Sequence, residues 1–232
     1  MIGFGTLDYL ALAGFLACWY GYLRLADGAR LGPSVPSLMG RHRKHWMSNL
    51  VRREPRMIDT LIHSNLQNGV AFFASTSILL VGGLLAILGA ADKALAVLRE
   101  LPLTPTPDRT TWELKVLLLV VIFVYAFFKF AWAYRLFNYC AILIGAAPMP
   151  EEYDQRAEDF AARMAKLQDL AAMHFNNGLR AYFYALGALG WFVHPLLFML
   201  TTVWVTWVLY RREFRSRSHA LLQEALEVRK PT

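Results

Sequence analysis

The sequence predicts an all-α, polytopic helical membrane protein that forms one transmembrane bundle domain over residues 1–232. Residues 72–91 carry no charged side chain, and neither do residues 116–128. Uncharged runs of this kind are typical of chains that cross a hydrocarbon layer. The hydrophobic fraction of 56% also exceeds the value of about 45–50% that is usual for soluble domains.

Four long apolar segments follow one another along the chain. The first three cover about residues 7–25, 70–90 and 112–136, and the fourth covers residues 179–210. The third continues with helical character to Gly145, before a proline-containing stretch that ends it. At about 1.5 Å per residue a helix from Trp112 to Gly145 is about 50 Å long, against about 30 Å of hydrocarbon, so its last turns must leave the membrane.

The fourth segment is interrupted near its middle by His194-Pro195. Proline is well tolerated at the first position of a helix, so two short helices over residues 179–193 and 195–210 can meet there as a hairpin. This arrangement gives five membrane helices. A single kinked and strongly tilted helix is the alternative.

The distribution of basic residues favours the hairpin and predicts the topology. The connection between the first two segments carries Arg24, Arg30, Arg41, Arg43, Lys44, Arg52, Arg53 and Arg56, whereas no basic residue precedes Leu7. By the positive-inside rule, the N-terminus lies outside and this connection is cytoplasmic. Residues 91–111, with a Pro-rich run at 102–107, are then external. The basic cluster Arg211–Arg217 returns to the cytoplasm only through a hairpin, so the C-terminus is predicted to be cytoplasmic in a bacterial inner membrane.

A cytoplasmic helical layer is predicted from two amphipathic segments, at about residues 37–53 and 151–176. Asn176-Asn177-Gly178 is expected to stop the second of these helices. The first has the composition of an interfacial helix on anionic lipid. Its candidate lipid-binding residues are Arg41, Arg43, Lys44, Trp46, Arg52 and Arg53.

Small residues form a stripe on each of the first two apolar segments. The stripes comprise Gly14, Ala17, Cys18 and Gly21 on the first, and Ala71, Ser75, Gly82, Ala86 and Gly89 on the second. Such faces allow close helix packing in lipid. We expect one stripe to pack within the protomer and the other to remain available for a second copy, which predicts a homo-oligomer or a subunit of a larger membrane assembly.

Three short motifs near the C-terminus resemble a known family. They are Arg180-Ala181-Tyr182-Phe183-Tyr184, Trp191-Phe192-Val193-His194-Pro195 and Leu209-Tyr210-Arg211-Arg212-Glu213-Phe214. Together they resemble the C-terminal signature of the domain-of-unknown-function 599 family of bacterial and plant multipass membrane proteins. The resemblance implies a membrane location and no established activity, so it assigns no catalytic or binding residue.

The sequence predicts neither a cofactor nor a metal site. Asp59 and His63 stand four residues apart on one helix face, where they could supply two metal ligands. A surface ion pair or a helix cap explains the couple equally well. Cys18 and Cys140 both lie in apolar or juxtamembrane helical stretches and are interpreted as packing residues.

Several polar side chains lie in or beside the apolar segments and are candidates for a pore or a polar vestibule. They are Asn65, Asn68, Lys129, Asn138, His174, Asn176, Arg180 and His194. Polar amides at such positions usually form hydrogen bonds with the backbone or between helices, and we favour this interpretation over a vestibule. Lys129 must reach the interface, water or a partner, because an unpaired ammonium in hydrocarbon costs at least about 2.5–3.5 kcal/mol.

The absence of a carboxylate within the core of any predicted span bears on function. Ion-coupled transporters commonly use an intramembrane Asp or Glu to exchange the coupling ion, so coupled transport is disfavoured. Serine-protease, P-loop, Rossmann and kinase motifs are missing, which argues against an enzyme. The sequence therefore predicts a structural or interaction protein of the inner membrane that binds itself and anionic lipid, with no role in nucleic-acid binding. An oligomeric channel or uncoupled transporter is the alternative.

Overall fold

A computed structural model describes residues 5–27, 32–99 and 108–228 of the chain. These residues form helices and no strand, which confirms the predicted all-α class. The helices are α1 (Thr6–Asp27), α2 (Val35–Leu50), α3 (Met57–Gly89), α4 (Ala91–Arg99), α5 (Arg109–Gly145), α6 (Gln155–Ala188), α7 (Pro195–Phe214) and α8 (Arg217–Glu227). Arg30, the Pro-rich run at 102–107 and the tip at 1–4 lie outside the described residues.

Two helices, α3 and α5, are long and apolar enough to cross a membrane. Their most apolar stretches have mean hydropathies of 2.2 and 2.4. The helix α5 contains the predicted span at 112–136, and α3 contains the predicted span at 70–90 except its last residue. The two helices differ in packing, since 39% of that stretch is buried in α5 but only 11% in α3. The most apolar stretch of α5 is therefore much more buried than that of α3.

The segment predicted at residues 37–53 forms α2, which begins slightly earlier and ends at Leu50. The Ser34 hydroxyl accepts a hydrogen bond from the Ser37 amide at 3.4 Å, and Pro36 occupies the first turn, where its missing N–H costs nothing. Two further helices, α4 and α8, were not predicted. Ser216 caps α8 by accepting a bond from the His219 amide at 3.1 Å.

The predicted stop at Asn176-Asn177-Gly178 is wrong, because α6 continues through these residues to Ala188. Asn177 and Gly178 are buried in the middle of this 34-residue helix. Helix propensity is a weak preference that tertiary packing overrides, and here the neighbouring turns on both sides are packed. The separate helices predicted at 151–176 and 179–193 are thus one helix, preceded by a short 3-10 turn at Pro150–Glu152.

The predicted break at His194-Pro195 is present. A 3-10 turn at Leu189–Phe192 ends α6, and α7 begins at Pro195. The chain then reverses, as two contacts between α6 and α7 show. The Thr201 hydroxyl lies 2.7 Å from the Gly187 carbonyl oxygen, and the Tyr184 hydroxyl lies 3.0 Å from the Thr206 hydroxyl. The end of α6 and α7 therefore form an antiparallel hairpin, and the alternative of one kinked helix is wrong.

The chain divides into two compact units. Unit 1 comprises the described parts of residues 1–28, 75–127 and 178–210, and unit 2 those of 29–74, 128–177 and 211–232. Unit 1 has an aromatic core in which the Phe15 ring packs against Tyr184 and Phe198, with centroids 5.7 and 5.0 Å apart. Unit 2 has an aliphatic core built from α2, the end of α5 and the start of α6, including Met47, Leu50, Val51, Ile144, Ala161 and Met164.

Candidate functional site

The basic helix α2 of unit 2 is anchored to α6 through Arg43. The Nε of Arg43 donates to a carboxylate oxygen of Asp169 at 2.5 Å. Gly40 allows this approach, because a Cβ at this position would lie only 3.2 Å from Asp169 Oδ2. Arg43 thus has a carboxylate partner within its own unit.

A second anchor joins the end of α2 to the beginning of α6 at Glu158. Arg52 Nε donates to the Glu158 carboxylate at 2.9 Å, the Ser48 hydroxyl donates at 3.0 Å, and the Tyr153 hydroxyl donates at 2.6 Å. The guanidinium of Arg52 also stacks 4.8 Å from the centre of the Tyr153 ring. Hydrogen bonds from Tyr153 and Arg52 lower the pKa of Glu158, and the bond to Glu158 raises the pKa of Arg52 and of Tyr153.

A third anchor joins α2 and its following turn to α3 at Asp59, which is fully buried. The indole Nε1 of Trp46 donates to Asp59 Oδ1 at 2.6 Å, and Arg53 forms an ion pair with the same carboxylate. Burial of a carboxylate is tolerated when it is paired and hydrogen-bonded in this way. The indole nitrogen of Trp46 is thus directed towards the protein.

The basic residues of the candidate lipid-binding set therefore divide into two groups. Arg43, Arg52 and Arg53 bind carboxylates of unit 2. Arg41 and Lys44 are exposed, and neither has an ion pair among the described residues.

The side chains of the Asp59–His63 couple both bind other groups of unit 2. The imidazole Nε2 of His63 donates to the Phe137 carbonyl oxygen at 2.7 Å, and both side chains of the couple are buried. The carboxylate of Asp59 already accepts from Trp46 and Arg53. No group of three or more His, Cys, Asp or Glu side chains that could hold a metal ion occurs among the described residues.

The vestibule candidates of unit 2 do not share one environment. Asn138 accepts a hydrogen bond from the Gln67 amide, which ties α5 to α3 as expected of amides between helices. Asn65 and Asn68 are exposed on α3, and Asn176 is half-buried in α6.

Lys129 and His174 of unit 2 are both half-buried, and the His174 ring packs edge-on against Trp132 at 6.5 Å. In unit 1, Arg180 is fully buried, with its guanidinium 5.5 Å from the centre of the Tyr22 ring. His194 is exposed, and its Nδ1 accepts from the Leu196 amide at 3.1 Å, which caps the start of α7.

A charged group that the sequence analysis missed lies in unit 1 around Trp191. The indole Nε1 of Trp191 donates to Asp8 Oδ1 at 2.7 Å, and the buried ammonium of Lys115 donates to the Trp191 carbonyl oxygen at 2.8 Å. Asp8 and Lys115 thereby hold the break between α6 and α7 against the first turns of α1 and α5. The only sequence signal was the position of each charge at the edge of an apolar segment.

The glycines of the two small-residue stripes have open space around them in the protomer. A Cβ added at Gly14, Gly21 or Gly82 would meet no heavy atom within 4 Å. Ala17, Ser75 and Ala86 are exposed. The expected close helix packing of one stripe inside the protomer is therefore not seen at these positions.

Comparison with known proteins identifies the family and no activity. Neither a curated protein nor a solved structure matches the chain. The model of the family described as "Protein of unknown function, DUF599" matches residues 10–218. This match covers most of the chain, including all three motifs near its C-terminus, and the chain therefore belongs to the DUF599 family.

Proposed function

We propose that the protein is a multipass membrane protein with a structural or interaction role, which assembles with a second copy of itself, binds anionic lipid and has no catalytic activity. The observation that carries this proposal is the exposure of α3. Its most apolar stretch has a mean hydropathy of 2.2, yet only 11% of it is buried. An apolar helix of a soluble protein is buried in the core, so an exposed one requires lipid or another helix as its surroundings.

The side chains exposed along α3 have the character of a lipid-facing surface. Phe72 is 65% exposed and Leu79 is 75% exposed. The hairpin helix α7 exposes Leu200, Val203 and Trp204 to a similar extent. Large apolar side chains at such exposure are stable in hydrocarbon and unfavourable in water.

The exposed small-residue stripe of α3 supports self-association. Lipid is as apolar as leucine, so membrane helices gain little from burying large side chains together and more from close backbone approach at small residues. Ser75, Gly82 and Ala86 are all exposed, and the amide of Asn68 lies on the same helix face. Such an amide can bond across a two-fold axis, and symmetric closed assemblies are the commonest outcome for a self-complementary surface.

The proposed location is the bacterial inner membrane, with the N-terminus outside and the C-terminus in the cytoplasm. The support is the positive-inside rule applied to the basic first connection and to the basic end of α7. The hairpin formed by α6 and α7 is consistent with a return of the chain to the side on which α6 begins.

A glycine substitution tests the proposed assembly. Gly82→Leu adds a large side chain to the stripe at a position with open space, so the protomer should fold normally but lose its partner. Gly83→Leu is the matched control, since Gly83 is equally exposed and open but lies about 100° away around the helix.

The measurement is mass by size-exclusion chromatography with light scattering, in mild detergent and in nanodiscs. We expect an oligomer for the unmodified protein and for Gly83→Leu, and a folded monomer for Gly82→Leu. An unmodified protein that is monomeric in both environments would contradict self-association.

A further inference from the structure

The two helices α2 and α8 of unit 2 pack against each other and form one surface. The His42 Nε2 on α2 donates to the Leu222 carbonyl oxygen of α8 at 3.3 Å, and the His219 Nε2 on α8 donates to the Pro33 carbonyl oxygen at 2.7 Å. Residues next to these contacts on either helix therefore belong to the same part of the unit. We call this the α2–α8 surface.

Four cations of the α2–α8 surface are exposed. They are Arg41 and Lys44 on α2, Arg215 between α7 and α8, and Arg217 at the first position of α8. None of them has an ion pair among the described residues. This distinguishes them from Arg43, Arg52 and Arg53, whose charges are already offset by carboxylates.

An apolar strip lies on the exposed side of α8, on the helix face that also carries Arg217. Leu221 is 55% exposed, Val228 is 89% exposed, and Ala225 is exposed as well. Ala225 and Val228 stand four and seven residues after Leu221, so the three residues lie on one helix face. Arg217, four residues before Leu221, shares this face. Leu222 and Leu226 lie on another side of α8 and are half-buried.

We propose that the α2–α8 surface docks on anionic phospholipid headgroups, with Arg41, Lys44, Arg215 and Arg217 contacting the phosphates and Leu221 and Val228 entering the acyl boundary. Exposed leucine and valine beside unpaired cations are the composition of a helix that lies in a membrane interface. A nucleic-acid surface uses the cations but has no use for the apolar strip. The proposal rests on the proposed function, because it needs a chain that is already at a membrane.

Two charge-matched variants of the full-length protein test the assignment. R41Q/K44Q/R217Q removes three cations from the α2–α8 surface. R156Q/R163Q/K166Q removes three exposed cations from α6 in the same unit and is the control. A third variant, L221S, removes the apolar contact and leaves the charge unchanged.

The measurement is native mass spectrometry of each detergent-purified protein during titration with cardiolipin, phosphatidylglycerol or neutral phosphatidylcholine. A basic residue near an anionic surface is worth about a five-fold change in affinity, so the first variant should bind both anionic lipids at least about ten-fold more weakly. The control should stay within about three-fold of the unmodified protein, and L221S should weaken binding without changing the preference for anionic lipid.

If the two triple variants lose the same affinity for anionic lipid, the proposal is overturned, since net charge alone would then explain binding. Retention of anionic lipid by the first variant would overturn it as well. The same spectra report the oligomer mass. A monomeric unmodified protein that still shows the lipid contrast would contradict only the proposed self-association, whereas an intact oligomer without the contrast would contradict only the docking surface.

Discussion

The arginines on and after α2 differ in their surroundings, although they all carry the same charge. Arg41 has no ion pair among the described residues, whereas Arg43, Arg52 and Arg53 each have one. Each of the three lies opposite a carboxylate and holds α2 to another helix. Replacing any of them removes an internal contact, so a loss of lipid binding in such a variant would not by itself identify a lipid site. Arg41 and Lys44 are suited to that test, because their substitution removes charge and no internal ion pair among the described residues.

The Glu158 cluster should make the stability of unit 2 depend on pH. The pKa of Glu158 is lowered in the folded protein from its ordinary value of 4.5. The contribution of ionised Glu158 to the free energy of unfolding is therefore complete above that value, and it is lost as the pH falls through the pKa of the folded protein. We expect Glu158→Gln to lower the melting temperature by about 2–4 °C at pH 7. Below pH 4.5 the melting temperatures of the variant and of the unmodified protein should become more similar.

Thermal unfolding followed by circular dichroism in detergent measures this effect. Glu151→Gln is the control, since Glu151 is exposed and has no hydrogen bond or ion pair among the described residues. A difference in melting temperature between Glu158→Gln and the unmodified protein that stays constant from pH 7 to pH 3.5 would contradict this role of Glu158.

At the scale of the elements, the hairpin of α6 and α7 depends on a close approach at its turn. A Cβ added at Gly190 would lie 2.6 Å from Thr201 Oγ1 and 3.1 Å from the Leu197 carbonyl oxygen. The Thr201 hydroxyl cannot move away freely, because it also bonds to the Gly187 carbonyl oxygen at 2.7 Å. The turn is held further by Trp191, through its contacts with Asp8 and Lys115.

Gly190→Ala should therefore destabilise the protein by about 1–3 kcal/mol, as overpacking of a well-packed site does. Gly14→Ala is the matched control: its Cβ meets nothing within 4 Å, and alanine favours a helix over glycine by about 1 kcal/mol. Thermal or denaturant unfolding in the same detergent compares them. If Gly190→Ala is as stable as Gly14→Ala, the turn is more adaptable than the structure indicates.

At the scale of the whole molecule, the hairpin and the charge distribution together predict the topology. A cysteine introduced at exposed Ser218 should react with a membrane-impermeant reagent only from the cytoplasmic side, and one at exposed Thr6 only from the outside. The background is a C18A/C140A variant, which removes the two native thiols. Labelling of both sites from the outside would contradict a cytoplasmic C-terminus.

The sequence alone determined the all-α class, the apolar helices α3 and α5, the break before Pro195 and the family. These features depend on local properties: the length of an uncharged run, the missing N–H of proline and a few clustered motifs. The continuity of α6 through Asn177-Gly178, the helices α4 and α8, and the division of the arginines into paired and exposed groups depended on the tertiary structure. Packing overrides a local stop signal, and whether an arginine is paired depends on a carboxylate such as Asp169, which lies 126 residues away from Arg43 in sequence. The contacts of Asp8 and Lys115 with Trp191 were beyond sequence analysis for the same reason, because all three residues belong to segments that only the fold brings together.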